Sequence, residues 1–239
     1  MWEQLKGGKR VLKDWTVFEK VWLLAFTAIN IFLFFAWDDT FIGLISSITG
    51  MLCVVLVAKG KISNYYFGII QTGTYAYISY TYGLYGEAML NALFYFPLQF
   101  IGIYYWKKNQ VGQGTIGEDV AVKRLTRKQW IWLIVIMVVS SAVYAEILHL
   151  IGGQQVRIDS VAVVLSVIAQ ILMVKRFAEQ WALWIMVNVL SILLWAITLF
   201  QTGGNDYNML VMWSAFLINS IYGYINWIKM SKNQGVVQA

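Results

Sequence analysis

The sequence predicts an all-α polytopic membrane protein with eight transmembrane helices, and three observations support this fold class. Hydrophobic residues make up 59% of the 239 residues and charged residues only 13%, whereas a soluble domain carries about 25% charged residues. The mean hydropathy is +0.63, and the apolar residues form long runs separated by short polar joints. The basic residues, finally, are concentrated in alternate joints.

The predicted spans are eight apolar runs, each near the ~20 residues that cross the hydrocarbon core as a helix. Backbone polar groups have no water partner in lipid, so each run must form a helix or a barrel strand. The runs are continuous, whereas barrel strands alternate over about 10 residues, so helices are favoured. Short joints make neighbouring helices antiparallel. The spans are 21–37, 41–58, 65–82, 88–106, 130–148, 161–174, 181–200 and 207–228.

The distribution of charge predicts the orientation of these spans. If the N-terminus is cytoplasmic, every one of the 18 basic residues except Arg157 lies on the cytoplasmic side, as the positive-inside rule expects. An even number of spans returns the C-terminus to the cytoplasm. The net charge of +6 is spread over several joints rather than one patch, so no nucleic-acid partner is expected. The lipid bilayer is the expected surrounding.

An internal repeat organises the spans. Two stretches share a Gly-x-x-x-Trp ending, Gly102 to Trp106 and Gly223 to Trp227, and each closes a set of three spans that starts outside. The alternative is that two amphiphilic triplets look alike by composition. A parallel three-plus-one-plus-three repeat is a known transporter plan. The predicted organisation is a cytoplasmic segment at 1–20, an extra first helix at 21–37, a three-helix bundle at 41–106, a linker helix at 130–148, a second three-helix bundle at 158–228 and a cytoplasmic tail at 229–239.

The spans lack the groups that several membrane activities need. No Lys, Arg, Asp or Glu lies deep in any span, which disfavours ion-coupled carriers and membrane enzymes. With one Cys and one His in the chain, no metal or other cofactor is expected. Pro97 is expected to kink the fourth span. Four tryptophans near span ends are expected to anchor at the membrane interface, namely Trp37, Trp106, Trp130 and Trp227.

Neutral amides and aromatic rings are the polar groups that the spans do contain. Amides donate and accept hydrogen bonds, and ring faces stack on heterocycles and attract cations, so the expected solute is neutral or singly cationic. A single membrane amide also often only bridges helices. Stripes from both halves are expected to meet on the repeat axis. The candidate substrate-binding residues are Gln71, Asn91, Tyr95, Gln99, Trp184, Asn188, Trp213, Asn219 and Tyr222.

Several short motifs in these spans resemble those of the PnuC family of bacterial nicotinamide riboside transporters. The motifs are Asn64-Tyr-Tyr-Phe-Gly68, Leu84-Tyr-Gly-Glu87 with Asn91, Gln99-Phe-Ile-Gly102 with Trp106, and Trp184-Ile-Met-Val-Asn188. The resemblance runs from about Phe41 to Trp227. The last motif is similar to the family's Trp-x-x-x-Asn substrate-binding signature.

The resemblance implies a fold, a mechanism and partners. The fold is expected to be similar to SWEET transporters, with two three-helix bundles joined by a linker helix. Import of nicotinamide riboside by facilitated diffusion is expected, with trapping by a cytosolic riboside kinase, in a homotrimer of the bacterial inner membrane. Trp184 is expected to stack on the pyridinium ring, while Asn188, Gln71, Asn91 or Asn219 bonds the ribose or the carboxamide.

Three alternatives stay open from the sequence. The same fold is compatible with transport of thiamine or of another small vitamin or sugar. A channel or structural membrane protein would use its amides only to join helices. A membrane enzyme is the alternative least supported, because the spans lack catalytic groups.

Overall fold

The computed structural model describes residues 15–36, 40–81, 88–110, 120–150, 156–202 and 207–234. These residues form helices joined by short turns, with two isolated bridges and no β-strand among them. The all-α prediction is therefore confirmed for the described part of the chain. The helices are α1 (Val17–Ala36), α2 (Phe41–Ala58), α3 (Asn64–Thr81), α4 (Phe96–Lys107), α5 (Arg127–Leu150), α6 (Val156–Val174), α7 (Gln180–Thr202) and α8 (Tyr207–Asn233).

The fourth predicted span departs from a regular α-helix. A π-helical segment, Leu90–Tyr95, precedes α4. The N–H of Phe96 donates to the carbonyl of Asn91, five residues back. Pro97 has no N–H, so it cannot donate to the helical turn before it. The irregularity expected at Pro97 thus takes the form of a widened turn, and this turn contains Asn91.

Among the described residues, two helices satisfy the length and hydropathy requirements for crossing a membrane, by length and composition alone. They are α2 (Phe41–Ala58) and the Arg127–Ile147 part of α5. No residue of that α5 stretch is buried, and Trp132 and Val138 are 61% and 64% exposed. Apolar surface of this extent needs lipid or another helix to cover it. The full topology of eight spans stays a prediction.

The chain divides into two compact units, residues 1–120 and 121–239. In the first unit α1 packs on α2, α2 on α3, and α3 on the π-helical segment and α4. In the second unit α5 packs on α6, α6 on α7 and α7 on α8. The predicted domain bounds within these units stay predictions.

The α2–α3 connection in the first unit is a tight reversal centred on Gly60. Gly60 has a φ of 69°, a left-handed conformation that glycine adopts without a steric cost. Its N–H donates to Val57 O at 2.9 Å, and the N–H of Lys61 donates to Leu56 O at 2.9 Å. These two bonds close the end of α2 as a Schellman motif.

The α6–α7 connection in the second unit has the same hydrogen bonds without a glycine. Arg176 has a φ of 70°, and its N–H donates to Met173 O at 2.9 Å. The N–H of Phe177 donates to Leu172 O at 2.9 Å. The Arg176 guanidinium donates from Nη1 to Ala121 O at 3.0 Å.

A glycine lets two aromatic rings pack at one end of the first unit. The rings of Tyr65 and Trp106 meet edge to face, with centroids 5.0 Å apart and an interplanar angle of 86°. A Cβ added at Gly102 would collide with the Tyr65 ring. Both aromatic residues are fully buried. The prediction that Trp106 anchors at the membrane interface is therefore wrong, because the missing side chain at Gly102 leaves room for the rings inside the unit.

The second unit contains the corresponding arrangement. The rings of Trp181 and Trp227 are 6.2 Å apart at 70°, and a Cβ at Gly223 would collide with the Trp181 indole. Trp227 is fully buried, so its predicted role as an interface anchor is also wrong. Trp130 is half-buried, and Trp37 lies outside the described residues.

Candidate functional site

The two candidate tryptophans of the second unit pack against its hydrophobic core. Trp184 of α7 and Trp213 of α8 are half-buried and pack against the same apolar cluster. That cluster comprises Leu165, Ala169, Leu172, Phe177, Leu183 and Val187. Packing of this kind restricts the rotamers of both indoles. The indole Nε1 of Trp213 is buried and has no hydrogen-bond acceptor.

Asn188 lies one helical turn after Trp184, on the same face of α7. Its side chain is buried, and its Nδ2 donates to Ser220 Oγ of α8 at 2.9 Å. Ser220 is not among the residues predicted from the sequence. A serine in an apolar helix usually bonds to its own backbone, so only its position beside Asn219 could have marked it.

The remaining candidates of the second unit lie on α8. Asn219 is buried and Tyr222 is half-buried. They are three residues apart, so they share a face of the helix. The second unit therefore carries two indoles, two carboxamides, the Ser220 hydroxyl and the Tyr222 phenol on the facing helices α7 and α8.

In the first unit, the carboxamide of Gln99 is the most confined candidate group. Gln99 is buried, and its Nε2 donates to Tyr95 O, four residues back in the π-helical segment, at 3.1 Å. Its Oε1 is buried without a hydrogen-bond donor. A Cβ at Gly68 of α3 would collide with this oxygen, so the absence of a side chain at Gly68 is what admits the carboxamide.

The other candidates of the first unit are spread over α3 and the segment before α4. Asn91 is buried in the π-helical turn, and Tyr95 is half-buried. Gln71 is half-buried on α3, where its Cγ would lie 3.1 Å from a Cβ added at Gly50 of α2. The expectation that the stripes of the two halves meet on one axis stays a prediction.

Charged groups of the described residues pair at helix ends rather than among the candidate residues. Lys59 Nζ lies 2.7 Å from Glu19 Oε2, and Arg124 Nε lies 2.8 Å from Glu179 Oε1. Burial lowers the pKa of the Arg176 guanidinium in the α6–α7 turn. Within the described residues, no group of three His, Cys, Asp or Glu side chains could hold a metal. The candidate residues are all uncharged, which suits hydrogen bonding and stacking.

The family of this chain follows from its match to a family profile. The profile of a family described as "Nicotinamide mononucleotide transporter" matches residues 40–229, from the start of α2 almost to the end of α8. This chain belongs to that transporter family. Membership implies a membrane location and confirms the resemblance to PnuC drawn from the motifs.

Similar members of the family carry the name "Nicotinamide riboside transporter PnuC". The protein from Neisseria mucosa is 48% identical over 94% of this chain and 86% of its own length. The protein from Haemophilus influenzae is 43% identical over 92% of this chain and 94% of its own. A solved crystal structure of "the Vitamin B3 transporter PnuC" has 48% identity and a TM-score of 0.78, and it covers 92% of this chain and 94% of that one.

Proposed function

We propose that this protein imports nicotinamide riboside by facilitated diffusion across a bacterial inner membrane. The observation that carries the proposal is the 48% identity to a nicotinamide riboside transporter over 94% of the chain. The face of α7 that presents Trp184 and Asn188 next to Ser220 supports it.

The chemistry of the candidate residues suits this solute. Nicotinamide riboside carries a pyridinium cation, a ribose and a carboxamide. An indole face attracts a desolvated cation by about 2 kcal/mol, and we assign this role to Trp184. We assign hydrogen bonds with the ribose or the carboxamide to Asn188, Gln71, Asn91 or Asn219, since an amide both donates and accepts. The proposed set of substrate-binding residues also includes Tyr95, Gln99, Trp213 and Tyr222.

The riboside is favoured over the mononucleotide that the family description names. A phosphate is bound best by Arg or Lys through charge-assisted hydrogen bonds. None of the nine candidate residues is cationic. The buried Lys59 already contacts a carboxylate, that of Glu19, and Arg176 donates to a backbone carbonyl. The candidate set therefore suits the uncharged ribose end of the riboside better than a phosphate.

The absence of charged candidate residues also bears on energy coupling. Proton- and ion-coupled carriers use buried carboxylates near the membrane midplane. The proposed transport runs down the riboside gradient, and a cytosolic riboside kinase traps the product by adding a charged phosphate. The kinase is a functional partner in this scheme, with no contact to the transporter implied.

We also propose the assembly and orientation that the resemblance implies. Both termini lie in the cytoplasm, three chains form a homotrimer, and the fold is a parallel three-plus-one-plus-three repeat similar to SWEET transporters. Two features support the repeat. The turns at Gly60 and Arg176 share their hydrogen bonds, and each unit packs a ring over a glycine.

Calorimetric titration of the purified, detergent-solubilised protein tests the substrate. Nicotinamide riboside, nicotinamide mononucleotide, thiamine and glucose are titrated separately. Saturable binding of the riboside alone is the expected result. Tight binding of thiamine with no response to the riboside would assign the fold to another vitamin, and binding of none of them, together with no saturable counterflow in liposomes, would favour a channel or a structural protein.

A further inference from the structure

The hydrogen bond between Asn188 and Ser220 joins two buried side chains on different helices. Asn188 is 4% exposed and Ser220 is 5% exposed, and the distance from Nδ2 to Oγ is 2.9 Å. A carboxamide has an NH₂ end and a carbonyl end. With its NH₂ end engaged by Ser220, Asn188 presents its Oδ1 as a hydrogen-bond acceptor.

The packing of α7 on α8 explains why these two side chains meet. Trp181 lies over Gly223 at the start of α7. Asn188 lies two turns further along α7 on the same face, and Ser220 lies three residues before Gly223 on the same face of α8. The glycine contact fixes the spacing of the helices, so the short hydroxyl side chain of Ser220 reaches the carboxamide.

The corresponding pair of helices in the first unit, α3 and α4, packs without a side-chain bond of this kind at the same level. Aligning Tyr65 with Trp181 and Gly102 with Gly223 places Thr72 at the level of Asn188 and Gln99 at the level of Ser220. Thr72 Oγ1 donates to Gly68 O of its own helix at 2.7 Å. Gln99 Nε2 donates to Tyr95 O at 3.1 Å, four residues back along its own chain segment and not across to α3.

We propose that Ser220 is a positioning residue for substrate recognition. It holds the NH₂ end of the Asn188 carboxamide and thereby directs Oδ1 to accept a hydrogen bond from a hydroxyl or amide N–H of the solute. The inference rests on the proposed function, because it presupposes that Asn188 contacts the riboside. Ser220 acts through Asn188.

The test removes the hydroxyl and measures affinity for nicotinamide riboside. Ser220→Ala is expected to weaken binding about three- to tenfold, the range of a neutral hydrogen bond, and to lower the Tm only modestly in the absence of ligand, because the buried Asn188 amide loses its acceptor. Ser220→Thr keeps the hydroxyl and is expected to restore most of the affinity. Ser231→Ala is the matched control, since Ser231 is buried on the same helix but donates to its own Ile228 O.

A double-mutant cycle separates positioning from a general structural role. In the Asn188→Ala background, Ser220→Ala is expected to cause no further loss of affinity. Ligand-induced stabilisation at millimolar riboside keeps weak variants measurable. Additive losses, or a lower Tm with unchanged affinity, would overturn the positioning role while leaving riboside transport intact. A wild-type protein that does not bind the riboside would instead overturn the proposed function.

Discussion

At the scale of single residues, Trp184 combines packing with exposure of part of its ring. Its contact with the core of the second unit fixes the indole, and we expect the accessible ring face to bind the pyridinium cation. Trp184→Ala should weaken riboside binding at least tenfold, because a desolvated cation–π contact contributes about 2 kcal/mol. Trp184→Phe keeps an aromatic face and should retain part of the affinity.

Calorimetry with nicotinamide riboside measures this effect. Trp132→Ala on α5 is the control, because Trp132 is 61% exposed and belongs to no candidate stripe. Asn188→Ala should also weaken binding, with little change in Tm. Wild-type affinity in both the Trp184→Ala and the Asn188→Ala variants, at normal expression, would show that α7 does not contribute to the binding site.

Gly102 and Gly223 set the closest helix contacts of their units. A Cβ at either position would overlap an aromatic ring, and overpacking of this kind costs about 1–3 kcal/mol. Gly102→Ala and Gly223→Ala should therefore each lower the Tm of the detergent-solubilised protein. Gly73→Ala in α3 is the matched control, since its Cβ would lie 3.5 Å from Phe96, an ordinary contact. Equal Tm values for all three variants would contradict the collisions.

At the scale of whole elements, α1 is tied to the first unit by a buried ion pair. Thr16 and Glu19 form a capping box at the start of α1, and Glu19 Oε2 contacts Lys59 Nζ at the end of α2. Lys59 also lies 5.2 Å from the centre of the Trp15 ring. The family match begins at residue 40, yet these contacts make α1 part of the packed unit.

Removing the charge of one partner of this ion pair should destabilise the unit more than replacing both partners with uncharged residues. Glu19→Gln leaves Lys59 buried without a counter-charge and should destabilise the unit by about 3–5 kcal/mol. Adding Lys59→Met should recover much of that loss, since apolar replacement of a buried pair is often neutral. Thermal unfolding measures both variants, with Lys20→Met, an exposed neighbour on α1, as the control. A Glu19→Gln protein as stable as the control would mean that the pair contributes nothing.

The sequence predicted helices better than it predicted side-chain environments, for a physical reason. Long apolar runs define where a helix must lie, so the predicted run 41–58 coincides with α2. The burial of Trp106 depends on Gly102 and Tyr65 together, and no single-residue pattern contains that contact. The bond from Asn188 to Ser220 likewise depends on the spacing of two helices. Arg176 occupies a left-handed turn where glycine is usual, so nothing in its residue type marked the turn.

At the scale of the whole molecule, the uncharged candidate residues predict transport without ion coupling. In proteoliposomes held at zero membrane potential, labelled nicotinamide riboside, which is a cation, should equilibrate across the membrane without accumulating. With the potential still held at zero, an imposed proton or sodium gradient should leave the final distribution unchanged, because no buried carboxylate among the candidate residues links solute to ion movement. Unlabelled riboside inside the vesicles should accelerate entry of the label.

Enclosing a riboside kinase with ATP in the vesicles should convert equilibration into sustained uptake. Phosphorylation removes free riboside from the lumen, so its inward gradient persists, and the charged product is expected to stay inside because the candidate residues lack a cation for its phosphate. Vesicles with kinase but without ATP provide the control. Accumulation of unmodified riboside against its electrochemical gradient would show that the protein has a coupling group that the candidate set lacks. Release of the phosphorylated product through the protein would show that the binding site accepts a phosphate.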